Sequence, residues 1–137
     1  MSAATITPFP RQAPPTILVV EDEVLMRSLI SDELRARGFK VIEASSADDA
    51  IAVLETMRVD LLFVDIHLPG PRSGLDVAQL VQARSLPTRI LLTSGKDWIA
   101  DLPALADLIP FVRKPYLVSR VIELVTRSLN WPTAPEA

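Results

Sequence analysis

Residues at four separated points of the chain are of types that together could handle a phosphoryl group. Glu21, Asp22 and Glu23 follow directly on an apolar run, TILVV at 16–20, and Asp65 follows directly on another, LLFV at 61–64. Brought to one edge, these carboxylates would repel one another. A divalent cation that prefers hard oxygen ligands relieves the repulsion, which makes Mg2+ the implied cofactor. Two further runs end in complementary groups: RILL at 89–92 leads into Thr93, Ser94 and Gly95, and 109–112 leads to Lys114 before Pro115. A hydroxyl and an ammonium suit phosphoryl oxygens. The set describes a phosphoryl-transfer site, with Asp65 as nucleophile and Lys114 and Ser94 stabilising the spreading charge. Its product is an acyl phosphate. Thr93 is the alternative hydroxyl under a one-residue register shift. Glycines and free amides, which a nucleotide cradle needs, are missing after the first run, where the loop is anionic.

Singly, each group has an ordinary explanation. Glu21–Glu23 could be the acidic first turn of a helix, Asp65 a turn former and Lys114 a solvated charge. Only their combination favours chemistry. His67, without a second imidazole, makes a poor phosphohistidine or side-chain metal ligand. Trp98 is either core or an exposed partner anchor.

These groups can meet only if the apolar runs are neighbouring strands. TILVV, LLFV and RILL are short and almost wholly apolar, as parallel strands covered on both faces by helices must be. Residues 39–44 and 109–112 are weaker strands, expected towards the edges. Met26, Leu29, Ile30 and Leu34 repeat at helical spacing up to Gly38, which suits the left-handed turn after a helix. Ala47, Ala50, Ile51 and Leu54 form a second stripe behind Ser46 as N-cap, and Val118, Val121, Ile122, Val125 and Leu129 form the last. Ser73 and Asp76 read as a capping box ahead of Val77, Leu80 and Val81. Residues 97–107 contain Pro103 and predict a short or irregular crossover. Right-handed crossovers then give an α/β fold, a doubly wound five-stranded parallel sheet, flavodoxin-like in its strand order 2-1-3-4-5. The site belongs at the carboxyl ends of the strands.

A chain of 137 residues, 49% apolar and 23% charged, fits one core. Prolines crowd both ends, so residues 1–15 read as a Pro-rich N-terminal tail, 16–130 as the domain and 131–137 as a C-terminal tail. A net charge of −3 speaks against direct nucleic-acid binding. The absence of cysteine fits a reducing cytoplasm. No export signal or apolar run of about 20 residues is seen, so a soluble cytoplasmic protein without membrane contact is expected.

The order of motifs resembles the receiver domain of two-component response regulators over residues 16–130. ILVVEDE matches that family's first strand and acid pair, VDIHLPG its phosphoacceptor segment, LLTSG its switch strand and FVRKP its lysine strand. The resemblance implies that Asp65 is the phosphoacceptor, that Glu21 and Asp22 bind metal with it, and that Lys114 is the phosphoryl partner. It makes Ser94 the switch hydroxyl, Phe111 the switch aromatic and the His67 backbone carbonyl a metal ligand. Lys114-Pro115 is expected to be cis. A stand-alone phosphoacceptor is implied, not a turnover enzyme, with a histidine kinase or histidine phosphotransfer protein as donor and a downstream protein as possible target.

Three departures stand out. PGPRSG at 69–74 holds one more residue than the usual receiver, Phe111 lacks a tyrosine hydroxyl, and Pro103 interrupts the usual output helix. The extra residue beside Asp65 and the disturbed fourth crossover keep a competing expectation open, a binding module acting without phosphorylation. A phosphatase of the haloacid dehalogenase type is disfavoured because His67 stands where its second aspartate would be.

Overall fold

A computed structural model of the chain describes residues 13–95 and 109–132. The expectations for residues 97–107, with Trp98 and Pro103, lie outside the described residues. The strands are β1 (Thr16–Val20), β2 (Lys40–Ala44), β3 (Leu61–Asp65), β4 (Arg89–Ser94) and β5 (Phe111–Arg113). The described helices are α1 (Val24–Ala36), α2 (Ala47–Thr56), α3 (Gly74–Ala83) and α4 (Val118–Leu129). All strand pairs are parallel, and the order is β2-β1-β3-β4-β5, as expected.

Every residue of β1 and β3 is buried, because each strand contributes side chains alternately to two cores. Leu18, Val20, Leu62, Val64 and Leu92 meet Ala50, Ile51, Val77 and Val81 of α2 and α3. Ile17, Val19, Leu61, Phe63, Leu91 and Val112 meet Ile30, Leu34, Val121 and Val125 of α1 and α4. The weaker strand candidates form the two edges, where half-covered positions interrupt the apolar pattern.

Local chemistry sets the helix ends. The Ser46 hydroxyl accepts from the Asp49 amide at 3.1 Å, and the Asp76 carboxylate accepts from the Ser73 amide at 2.7 Å. Gly38, at φ +96°, takes the left-handed turn after α1. Leu29 departs from the stripe read in the sequence. Ile30, Ser31 and Leu34 face the core, whereas Leu29, a neighbour about 100° around the helix, is 56% exposed. At the far end, Trp131 packs on Phe39 with ring centroids 6.2 Å apart.

Candidate functional site

β1 and β3 end side by side, with Val20 paired to Val64, so Glu21 just past β1 and Asp65 at the end of β3 come to the same edge. Glu21 is 3% exposed and Asp65 4%, while Asp22 is exposed. One carboxylate oxygen from each of Glu21, Asp22 and Asp65 lies within 4.8 Å of the others. Lys114, just past β5, extends between them. Its Nζ donates to Glu21 Oε1 and to Asp65 Oδ2, each at 2.8 Å.

The other carboxylate oxygens are also held. The His67 amide donates to Asp65 Oδ1 at 2.9 Å, and the Glu23 amide donates to Glu21 Oε2 at 3.0 Å. Burial pushes the Glu21 pKa above its ordinary value, against Lys114 and the Glu23 amide, which pull it down. Burial alone would lower the Lys114 ammonium, but its bonds to Asp65 and Glu21 outweigh this, and its pKa is raised. The lysine therefore stays charged.

A second layer fixes this arrangement. Arg27 on α1 donates from Nη1 to the Glu21 carbonyl at 2.8 Å and pairs through Nε with Glu43 of β2 at 3.2 Å. The Lys114 amide donates to the Ser94 carbonyl at 3.0 Å, and Lys114-Pro115 is cis. The Gly74 amide donates to the Ile66 carbonyl at 2.9 Å, tying α3 to the end of β3. Sequence reasoning missed Arg27, Gly74 as a close-packing position, and Tyr116. A signal existed for Tyr116, which adjoins Lys114-Pro115, whereas Arg27 looks like any solvated helix charge.

Register separates the two hydroxyl candidates. Thr93 pairs with Asp65, whereas Ser94 pairs with Arg113 and so lies on the same sheet face as Leu92 and Phe111. Thr93 Oγ1 is buried without a hydrogen-bond partner. Ser94 is 1% exposed.

The donor set is chemically suited to Mg2+: carboxylate oxygens, no thiolate or imidazole, and enough negative charge to repay desolvation of the ion.

Compared with known families, residues 17–126 match the response regulator receiver domain. The chain belongs to that family. Receivers are signalling phosphoacceptors working with histidine kinases and downstream effectors, not enzymes that turn over an external substrate. This receiver is 33% identical over 113 residues to "Probable transcriptional regulatory protein TcrX" of Mycobacterium tuberculosis, covering 80% of this chain and 47% of TcrX. It thus spans about half the length of that regulator.

Among solved structures, it is similar to the response regulator TrrA of Thermotoga maritima in complex with Mg2+ and BeF. That likeness has a TM-score of 0.73 and 30% identity, covering 82% of this chain and 97% of TrrA. A response regulator receiver protein of Sinorhizobium medicae gives a TM-score of 0.78 at 25% identity, covering 86% and 96% of the two chains. No helix among the described residues is long and apolar enough to cross a membrane.

Proposed function

We propose that this receiver takes a phosphoryl group from a phosphohistidine onto Asp65 and alters its protein contacts as a result, acting in the cytoplasm. The observation that carries this is the Lys114 ammonium held between two buried carboxylates, 2.8 Å from each. An isolated buried acid pair would be self-repelling. With one lysine and a cation site it becomes a preorganised anion-handling centre.

Asp65 attacks phosphorus in line. The P–N bond of the donor breaks with its electron pair going to the imidazole nitrogen, and a P–O bond forms to the Asp65 carboxylate. Lys114 already contacts Oδ2 and follows the new charge onto a phosphoryl oxygen. Glu21, Asp22, Asp65 and the His67 carbonyl would hold Mg2+, which when bound neutralises the carboxylates and the phosphoryl oxygens. Water later attacks phosphorus, releasing inorganic phosphate and restoring the Asp65 carboxylate.

Ser94 is the hydroxyl that the family resemblance suggests for the switch, with Phe111 its aromatic partner, but the register favours the alternative, Thr93. Thr93 pairs with Asp65 and its Oγ1 is buried without a partner, whereas Ser94 lies on the opposite sheet face, so a phosphoryl group on Asp65 draws in Thr93 and shifts the end of β4 against which Phe111 stands.

Incubation with acetyl phosphate and Mg2+, followed by intact mass, tests the proposal. The wild type gains one phosphoryl group, and both the Asp65→Asn variant and a metal-free sample gain none. Undiminished labelling of Asp65→Asn would sink the assignment. Failure of the wild type to label, with a purified histidine kinase as well, leaves the phosphorylation-independent binding module.

A further inference from the structure

Tyr116 is the only tyrosine in the chain, and it stands two residues after Lys114. Its ring packs edge-on against Phe63, two residues before Asp65, with centroids 6.1 Å apart. It lies against the core that holds Val19, Phe63 and Leu91, beneath the strand ends that carry the acids. The phenol oxygen is buried and has no hydrogen-bond partner. A covered donor of this kind is costly and uncommon, and one kept beside a charged site calls for a reason. Burial, and after it the nearby Glu21 carboxylate, hold the phenol pKa above its ordinary value, so the hydroxyl keeps its proton to donate.

Among the described residues Glu21 Oε1 accepts from Lys114 Nζ alone, the same atom that must turn to a phosphoryl oxygen once Asp65 is modified. When the lysine turns, that carboxylate oxygen loses its donor. We infer that Tyr116 is a positioning residue whose hydroxyl donates to Glu21 in the loaded site, keeping that carboxylate aimed at the cation after Lys114 has left it. The inference rests on the phosphoacceptor proposal. It gives the aromatic ring after Lys114-Pro115 a role that phenylalanine could not fill. In the resting protein the hydroxyl waits unpaired, and its hydrogen bond belongs to the loaded state alone.

The lone tyrosine is its own reporter. Protein labelled with 13C at tyrosine Cζ gives one resonance, to be followed with Mg2+ and then with Mg2+ and beryllofluoride, while 19F spectra show independently whether beryllofluoride is bound. The expected result is a Cζ shift that appears with bound beryllofluoride and persists in Thr93→Val, the other unpartnered hydroxyl on the Asp65 face. Tyr116→Phe should leave the metal-free melting temperature unchanged or higher. It should weaken Mg2+ binding in the beryllofluoride state, measured by calorimetry, by about 10-fold, as loss of an outer-shell partner does.

A Cζ resonance that stays put while the 19F spectrum shows bound beryllofluoride overturns the inference and leaves the phosphoacceptor proposal standing. So does a shift abolished by Thr93→Val, which would assign the hydroxyl to Thr93. A lower metal-free melting temperature for Tyr116→Phe also overturns it, because the hydroxyl would then be structural. Absence of bound fluoride signals, together with absence of an acyl phosphate, removes the phosphoacceptor proposal and this inference with it.

Discussion

At Gly74 the first turn of α3 lies so close to the end of β3 that a Cβ would overlap the Asp65 backbone oxygen and stand 2.9 Å from Ile66 Cα. Both neighbours are backbone, so neither can swing aside as a flexible side chain would. The carboxylate of Asp65 is aimed by that backbone and by the His67 amide two residues on. Gly74→Ala is therefore expected to act twice. Forcing the strand end away costs about 1–3 kcal/mol, the range for overpacking, and the displaced Asp65 loses its alignment with Lys114. Urea unfolding measures the first effect and the rate of acetyl phosphate labelling the second. A variant with wild-type stability and rate would show that the approach is not tight in solution.

Among the elements, α1 carries an apolar surface that the core does not use. Val24, Leu25 and Leu29 are 61%, 74% and 56% exposed, and Leu117, three residues after Lys114, is 74% exposed. Val24 and Leu25 follow at once on Glu21–Glu23, so they rim the approach to Asp65. A protein donor that brings a phosphohistidine in line with Asp65 must cover this rim, whereas acetyl phosphate need not. Leu25→Glu is expected to slow transfer from a protein donor by roughly 10-fold, the worth of one modest interface contact, while labelling by acetyl phosphate keeps its rate. Equal slowing with both donors would mean that the substitution damages the site itself. This face also marks where sequence reasoning stops. Compact apolar runs disclosed the buried strands, because a strand covered on both sides has no polar positions to confuse the pattern. The acids and Lys114 were legible because they stand at the ends of those runs. Leu29 read as core because helical spacing alone does not fix the buried arc, and Arg27 was missed because its partners, the Glu21 carbonyl and Glu43, come from other elements. The separation of Ser94 from Thr93 needed the register of β4 against β3 and β5, a relation between strands that no single segment contains.

For the molecule as a whole, the site trades fold stability for readiness. Burial raises the Glu21 pKa, so the fold binds that proton more tightly than the unfolded chain does. The sign follows directly. Glu21 contributes stability that is complete below its ordinary value of 4.5 and is lost as pH rises through the raised folded value. At neutral pH the ionised group is a cost, held in place by Lys114, whose own raised pKa keeps its contribution intact until strongly alkaline pH. Without divalent cation, the melting temperature should fall as pH rises from about 4.5 towards neutrality, and Glu21→Gln should flatten that fall and melt higher than wild type at neutral pH. Millimolar Mg2+ should raise the wild-type melting temperature at neutral pH, because a ligand bound only by the folded state stabilises it in proportion to the logarithm of its concentration over Kd. The gain should be largely absent from Glu21→Gln. Thermal scans of the two proteins across pH, with Mg2+ and with chelator, measure all of these responses together. If wild type and Glu21→Gln respond alike to pH and Mg2+, the buried carboxylate is a passive partner of Lys114 and sets neither response.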